Sequence, residues 1–186
     1  MVGFPWNNSE LVKHEYEQDN FKIIHTGAKS KRAIIFFSGN GLYYPNTIEE
    51  FTEKIIKKDR YEWQNISSNK KICEYYELII FCRDLYKQWY VTGINSKINT
   101  PDKVAEFLKN LTSGYKITTC GSSAGGYAAV LFAKLLNADR YFNISGQYSL
   151  YNHFDHVNKD PLLKIYKDNP DINKYFDLSN LEIGRA

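Results

Sequence analysis

Residues 115–136, YKITTCGSSAGGYAAVLFAKLL, decide how this chain is read. They open with a β-prone run from Tyr115 to Cys120, rich in β-branched residues. The chain then turns through Gly121-Ser122-Ser123-Ala124-Gly125. It continues as a helical stretch in which Ala128, Ala129, Val130, Leu131, Phe132, Leu135 and Leu136 leave little polar face, so this helix is expected to be buried. Gly-x-Ser-x-Gly alone arises by chance in roughly one chain in twenty of this length. Set between a strand and a buried helix, it has the layout of a nucleophile elbow. Such a turn is sharp and strained, and small residues at Gly121 and Gly125 keep side chains clear of it. Ser123 is thereby pushed to the C-terminal edge of a sheet and the N-terminus of a helix, where free N–H groups and the helix dipole favour negative charge. A phosphate-binding loop is the rival reading of Gly121 to Gly126. It lacks the Gly-Lys-Ser/Thr ending, and its glycines do not follow Gly-x-Gly-x-x-Gly.

Working outward, four more runs read as strands: Phe21–His25, Ala33–Phe37, Leu78–Cys82 and Arg140–Ile144. The second and third are continuous apolar runs rather than alternating ones, as strands covered on both faces require. Helices fall between them. Thr47-Ile48-Glu49-Glu50 has the form of a capping box, with Ile48, Phe51 and Ile55 expected on one face. Thr100 is placed to cap a helix with Pro101 at its first position, followed by Val104, Phe107, Leu108 and Leu111 at helical spacing. Strands alternating with helices predict an α/β fold with a mostly parallel sheet and helices on both faces.

The length of 186 residues suits one domain. We divide it into an N-terminal extension (1–20), a core (21–146) and a shortened C-terminal part (147–186). Hydrophobic residues make up 43% of the chain, and the net charge of +3 is too small to argue for nucleic acid. The basic clusters Lys29–Arg32, Lys57-Lys58 and Lys70-Lys71 read as solvated loops or helix ends. Cys73, Cys82 and Cys120 form neither a disulfide framework nor a zinc site, and no cofactor or metal is expected. Cys120 should point into the sheet, buried and inert. The first twenty residues lack a basic start followed by an apolar run, and no stretch reaches the roughly 20 apolar residues of a membrane span. A cytoplasmic protein is expected. The 15 Tyr, 11 Phe and 3 Trp could stack on sugars, but core filling is the simpler reading.

A serine nucleophile needs an oxyanion hole and a base. One oxyanion donor is expected from the N–H of Ala124, directly after the nucleophile. The other is expected from the loop Ser38-Gly39-Asn40-Gly41 that ends an earlier strand, at Asn40 or Gly41; a plain Gly-rich turn is the other reading of that loop. Asp84, at the end of a strand, is either a site residue or a partner of Arg83 or of a backbone amide.

Three stretches carry a resemblance: AIIFFSGNG (33–41), IIFCRDLYKQWYVTGIN (79–95) and TTCGSSAGGYAAVLFAKLL (118–136). Through them the chain resembles the α/β-hydrolase superfamily, and within it a bacterial branch found with surface-polysaccharide genes. The elbow is the superfamily's feature, and Arg83-Asp84…Trp89-Tyr90…Gly93 is the branch's. The resemblance implies a Ser-His-acid triad acting on an ester or similar acyl bond, with Asp84 and Trp89 as further site candidates.

The superfamily's chain order is Ser, then Asp/Glu, then His. Residues 124–186 hold one more strand and only two histidines, His153 and His156, with Asp155 between them. His156 or His153 would be the base and Asp155 its orienter. Neighbours this close in sequence pair only in an unusual loop, and a polar surface loop is the other reading. His25 is expected to be packed in its strand and His14 solvated. Three functions follow. The chain is a serine hydrolase or acyltransferase working on a small-molecule or carbohydrate ester. Alternatively, it is a hydrolase-fold binding module that lacks a complete catalytic set. In the third, a homodimer formed through the exposed edge of the last strand completes the sheet.

Overall fold

The computed structural model describes residues 9–151 and 166–179. Five strands, β1 (Phe21–His25), β2 (Arg32–Phe37), β3 (Leu78–Cys82), β4 (Lys116–Ser122) and β5 (Arg140–Ile144), form one sheet in the order β1-β3-β2-β4-β5. β3, β2, β4 and β5 run parallel, and β1 closes one edge antiparallel to β3. The sheet is thus mostly parallel, as the unbroken apolar runs of β2 and β3 require. Every residue from Ala33 to Phe37 and from Leu78 to Cys82 is buried.

Both faces are covered. Ala33, Ile35, Phe37, Ile80 and Cys82 pack toward α4 (Pro101–Leu111) and α5 (Ala124–Leu136). Ile34, Phe36, Ile79, Phe81 and Cys120 face the other way, toward Tyr61, Tyr76 and partly buried residues of α3 (Lys70–Tyr75). α4 begins as its sequence indicates: Thr100 accepts from the Lys103 N–H, Pro101 takes the first turn, and Val104 and Leu108 are buried. α5 buries every residue from Ala124 to Ala133. The three cysteines are free, and burial pushes the Cys120 thiol up to about 11. Among the described residues no helix is long and apolar enough to cross a membrane, and no cluster of His, Cys, Asp and Glu could hold a metal.

Three expectations need correcting. The helix at Thr47 keeps only half of the capping box. Thr47 Oγ1 accepts from the Glu50 N–H, but the Thr47 N–H goes to the Pro45 carbonyl and the Glu50 carboxylate pairs with Lys54. Beyond one α-turn, α2 (Ile48–Phe51) widens into a π-helical segment, Thr52–Lys57. The change of period keeps Phe51 and Ile55 buried but leaves Ile48 39% exposed. His25 is exposed rather than packed, at the end of an edge strand. The N-terminal segment is not merely an extension: α1 (Glu10–Tyr16) sends Val12 and Tyr16 inward, and Val12 joins a buried cluster with Leu42, Tyr43, Phe51, Ile55 and Leu85.

Candidate active site

β4 runs into Ser122, α5 starts at Ala124, and Ser123 alone makes the turn, with φ 53° and ψ −123°. A non-glycine residue pays for positive φ, so its surroundings must impose the conformation. They do so with backbone. The Ser123 N–H donates to the Ile144 carbonyl at 2.9 Å, and the Ser123 carbonyl accepts from the Tyr127 N–H at 3.1 Å. A Cβ on Gly121 would stand 2.1 Å from the Gly125 carbonyl oxygen, and one on Gly125 would stand 2.1 Å from the Phe37 oxygen. Both positions therefore demand glycine for lack of space. Thr119 Oγ1 donates to the Ala129 carbonyl at 2.7 Å and ties β4 to the helix. Ser123 itself is exposed.

The loop after β2 meets the elbow from the neighbouring strand, since Phe37 pairs with Gly121. It closes as a single 3₁₀ turn, Asn40–Tyr43, whose first internal bond runs from the Leu42 N–H to the Gly39 carbonyl. The N–H groups of Asn40 and Gly41 precede that bond and have no acceptor within the turn. Gly39 is pressed so closely on the elbow that a Cβ there would lie 2.6 Å from the Ser122 carbonyl oxygen. Its N–H is already taken by Glu62 Oε2 at 2.7 Å. The Ala124 N–H, first in α5, likewise has no acceptor within its helix. Ser123, Ala124 and the Asn40-Gly41 turn thus meet at the C-terminal ends of β2 and β4. From there the chain leaves β2 toward β3 and β4 toward β5, on opposite sides. Such a parting is where open α/β sheets form a binding crevice.

Asp84 and Trp89 belong to the loop after β3. Asp84 is buried, and its carboxylate accepts from the N–H groups of Tyr86 (3.0 Å), Gln88 (2.6 Å) and Tyr90 (2.9 Å). Burial raises its pKa to about 6 against the opposing pull of those bonds. Arg83 turns instead to Asn20 and Asp59, at 2.9 Å each. Asp84 folds a loop in which Lys87, Trp89 and Tyr90 all have positive φ. The Tyr90 hydroxyl lies 2.9 Å from the Ser38 carbonyl and 3.0 Å from that of Cys82, linking this loop to the one that follows β2. Trp89 is buried, and its Nε1 donates to Gln147 Oε1 at 3.3 Å, reaching the segment after β5. His153, Asp155 and His156 lie outside the described residues. His14 is exposed on α1, and His25 pairs with Leu78 at the sheet edge away from Ser123.

Sequence reasoning passed over three charged residues beside the site. Lys87 is wholly buried. Its Nζ donates to the Tyr43 carbonyl at 2.9 Å and to Asn46 Oδ1, and lies 3.7 Å from the centre of the Tyr43 ring. Burial lowers its pKa to about 7. Arg60 Nη1 donates to the Leu42 carbonyl at 2.7 Å, and Glu62 holds Gly39. Arg60 and Glu62, with Lys58, Tyr61, Trp63, Gln64 and Asn65, line a polar cleft next to the turn.

The mostly parallel sheet with helices on both faces makes this an α/β protein. No protein-family model and no curated protein matches the sequence. Solved structures do show similarity. One is the capsule O-acetyltransferase of Neisseria meningitidis serogroup A, with a TM-score of 0.53 and 14% identity over 87% of this chain and 63% of that one. Another is a lipase-esterase related protein from Clostridium acetobutylicum, with a TM-score of 0.43 and 20% identity over 85% of this chain and 64% of that one. A third is an esterase B from Lactobacillus rhamnosis, with a TM-score of 0.41 and 10% identity over 96% and 69%. The chain therefore spans less than two thirds of the length of the first two.

Proposed function

We propose that the chain is a serine hydrolase or acyltransferase acting on an ester-type bond, with Ser123 as nucleophile. The observation that carries this reading is Ser123 itself: exposed, at φ 53°, on a turn whose flanking glycines admit no side chain. In this reading Ser123 Oγ attacks the ester carbonyl and gives up its proton to a histidine, His156 or His153, oriented by Asp155. The carbonyl oxygen becomes an oxyanion held by the N–H of Ala124 and that of Asn40 or Gly41. Collapse expels the alcohol, which takes the proton from the histidine, and leaves an acyl-Ser123. Water then gives hydrolysis, and a sugar hydroxyl gives transfer. Fold similarity to a capsule O-acetyltransferase supports a carbohydrate acceptor, as does the polar, aromatic cleft lined by Arg60, Glu62, Trp63 and Asn65. The outer edge of β5, with Phe142 and Ile144 about half exposed, supports pairing of two copies through that edge.

A fluorophosphonate probe tests the assignment. We expect stoichiometric labelling of the wild-type protein, abolished in Ser123→Ala. Loss of turnover in His156→Ala or His153→Ala would then identify the base. A folded protein that resists the probe, yet binds sugars, would move the reading to a binding module.

A further inference from the structure

The 3₁₀ turn Asn40–Tyr43 is one turn long and has almost no stability of its own. Charged side chains from other segments grip it at both ends. At its start, Glu62 Oε2 accepts the Gly39 N–H at 2.7 Å, and Glu62 Oε1 would stand 3.2 Å from a Cβ on Gly41. At its finish, three basic side chains take successive carbonyls: Arg60 takes Leu42 at 2.7 Å, Lys87 takes Tyr43 at 2.9 Å and Lys54 takes Tyr44 at 2.8 Å. A carboxylate at the N-terminal end and cations at the C-terminal end are the signs that suit a helical dipole. The strap bearing Arg60 and Glu62 is itself fixed. The Glu62 N–H donates to Ser38 Oγ at 3.1 Å, the Tyr61 N–H donates to Gln64 Oε1 at 3.0 Å, and the Tyr61 side chain is buried. Glu62 occupies the Gly39 N–H, while the N–H groups of Asn40 and Gly41 have no acceptor among the described residues.

We propose that Arg60 and Glu62 are positioning residues, holding the Asn40–Tyr43 turn in the orientation that stabilises the oxyanion formed at Ser123. The inference rests on the serine-hydrolase reading above. It assigns a catalytic consequence to two side chains through their grip on the turn, apart from any contact they make as lining of the cleft.

The test is hydrolysis of p-nitrophenyl acetate by the full chain, with kcat expressed per site titrated by a fluorophosphonate. A merely structural role lowers the titratable fraction and the melting temperature but leaves kcat per site unchanged. We expect Arg60→Ala and Glu62→Ala to lower kcat per site by about ten- to a hundredfold, with KM changing by less than about threefold. Glu62→Gln keeps an oxygen acceptor at the same reach and should retain at least about a third of kcat. Glu62→Asp is one methylene short and should behave like alanine. Lys57→Ala, at the end of the preceding π-helical segment and paired with Glu53 outside the cleft, should match wild type. If Arg60→Ala, or Glu62→Asp where an alanine variant does not fold, keeps wild-type kcat per site, the positioning role is wrong while the hydrolase reading stands. If the wild-type protein has no Ser123-dependent turnover, both fall together.

Discussion

Substituting alanine for Gly125 isolates what the elbow needs from its backbone packing. The added Cβ would stand 2.1 Å from the Phe37 carbonyl oxygen, 2.9 Å from its carbon and 3.0 Å from the Ser38 carbonyl carbon. A carbon–oxygen contact of roughly 3.3 Å is comfortable, so β2 and the start of α5 would have to part by about 1 Å. Both partners are backbone, and no side chain can swing away. Overpacking of this kind costs about 1–3 kcal/mol, or roughly 2–12 °C in melting temperature for a domain of this size. The displacement falls between Ser123 and the loop after β2, and under the proposed mechanism about 1 Å of misplacement there costs on the order of a hundredfold in rate. Urea unfolding with fluorophosphonate labelling kinetics reads both effects. Gly114→Ala is the control, because its Cβ meets open space and only the left-handed φ of 81° is penalised, at about 1 kcal/mol. If Gly125→Ala unfolds within about 0.5 kcal/mol of wild type and labels at the wild-type rate, the packing argument for the elbow is wrong.

Two further outcomes follow from the site's surroundings. Stability should rise with pH between about 7 and 9, by at most about 1.4 kcal/mol per unit, because Lys87 holds fewer protons folded than unfolded there; Asp84, raised to about 6, acts oppositely between about pH 4 and 6. Urea titrations across this range check both, and Lys87→Met should remove the rise. If two copies pair through β5, Ile144→Lys should lower the mass measured by light scattering, and a wild-type protein that stays monomeric at high concentration would remove that pairing.

The sheet was legible because β2 and β3 are buried on both faces and so read as unbroken apolar runs. The elbow was legible because crowding at Gly121 and Gly125 restricts those positions to one residue type. α2 was misread because its periodicity changes after a single turn, which a fixed 3.6-residue pattern cannot follow. Lys87 was passed over although it lies inside the stretch 79–95, because nothing in the local sequence marks a lysine for burial. Glu62 and Arg60 left no local mark at all. Their partners, Gly39 and Leu42, lie 23 and 18 residues away across an irregular loop, and no period or motif links such positions.

The two halves of the candidate site are therefore held by different forces. The elbow is shaped by steric exclusion between backbones, which salt and pH barely touch. The turn that faces it is gripped by acidic and basic side chains, and for one of them, Lys87, the Glu62 carboxylate favours the protonated form against its burial. If Ser123 is the nucleophile, packing keeps it in place through changes that loosen the proposed oxyanion donors. Across solution conditions, oxyanion stabilisation should vary before nucleophile geometry does. In kinetic terms, the variation belongs in kcat, where interactions made only in the transition state are read.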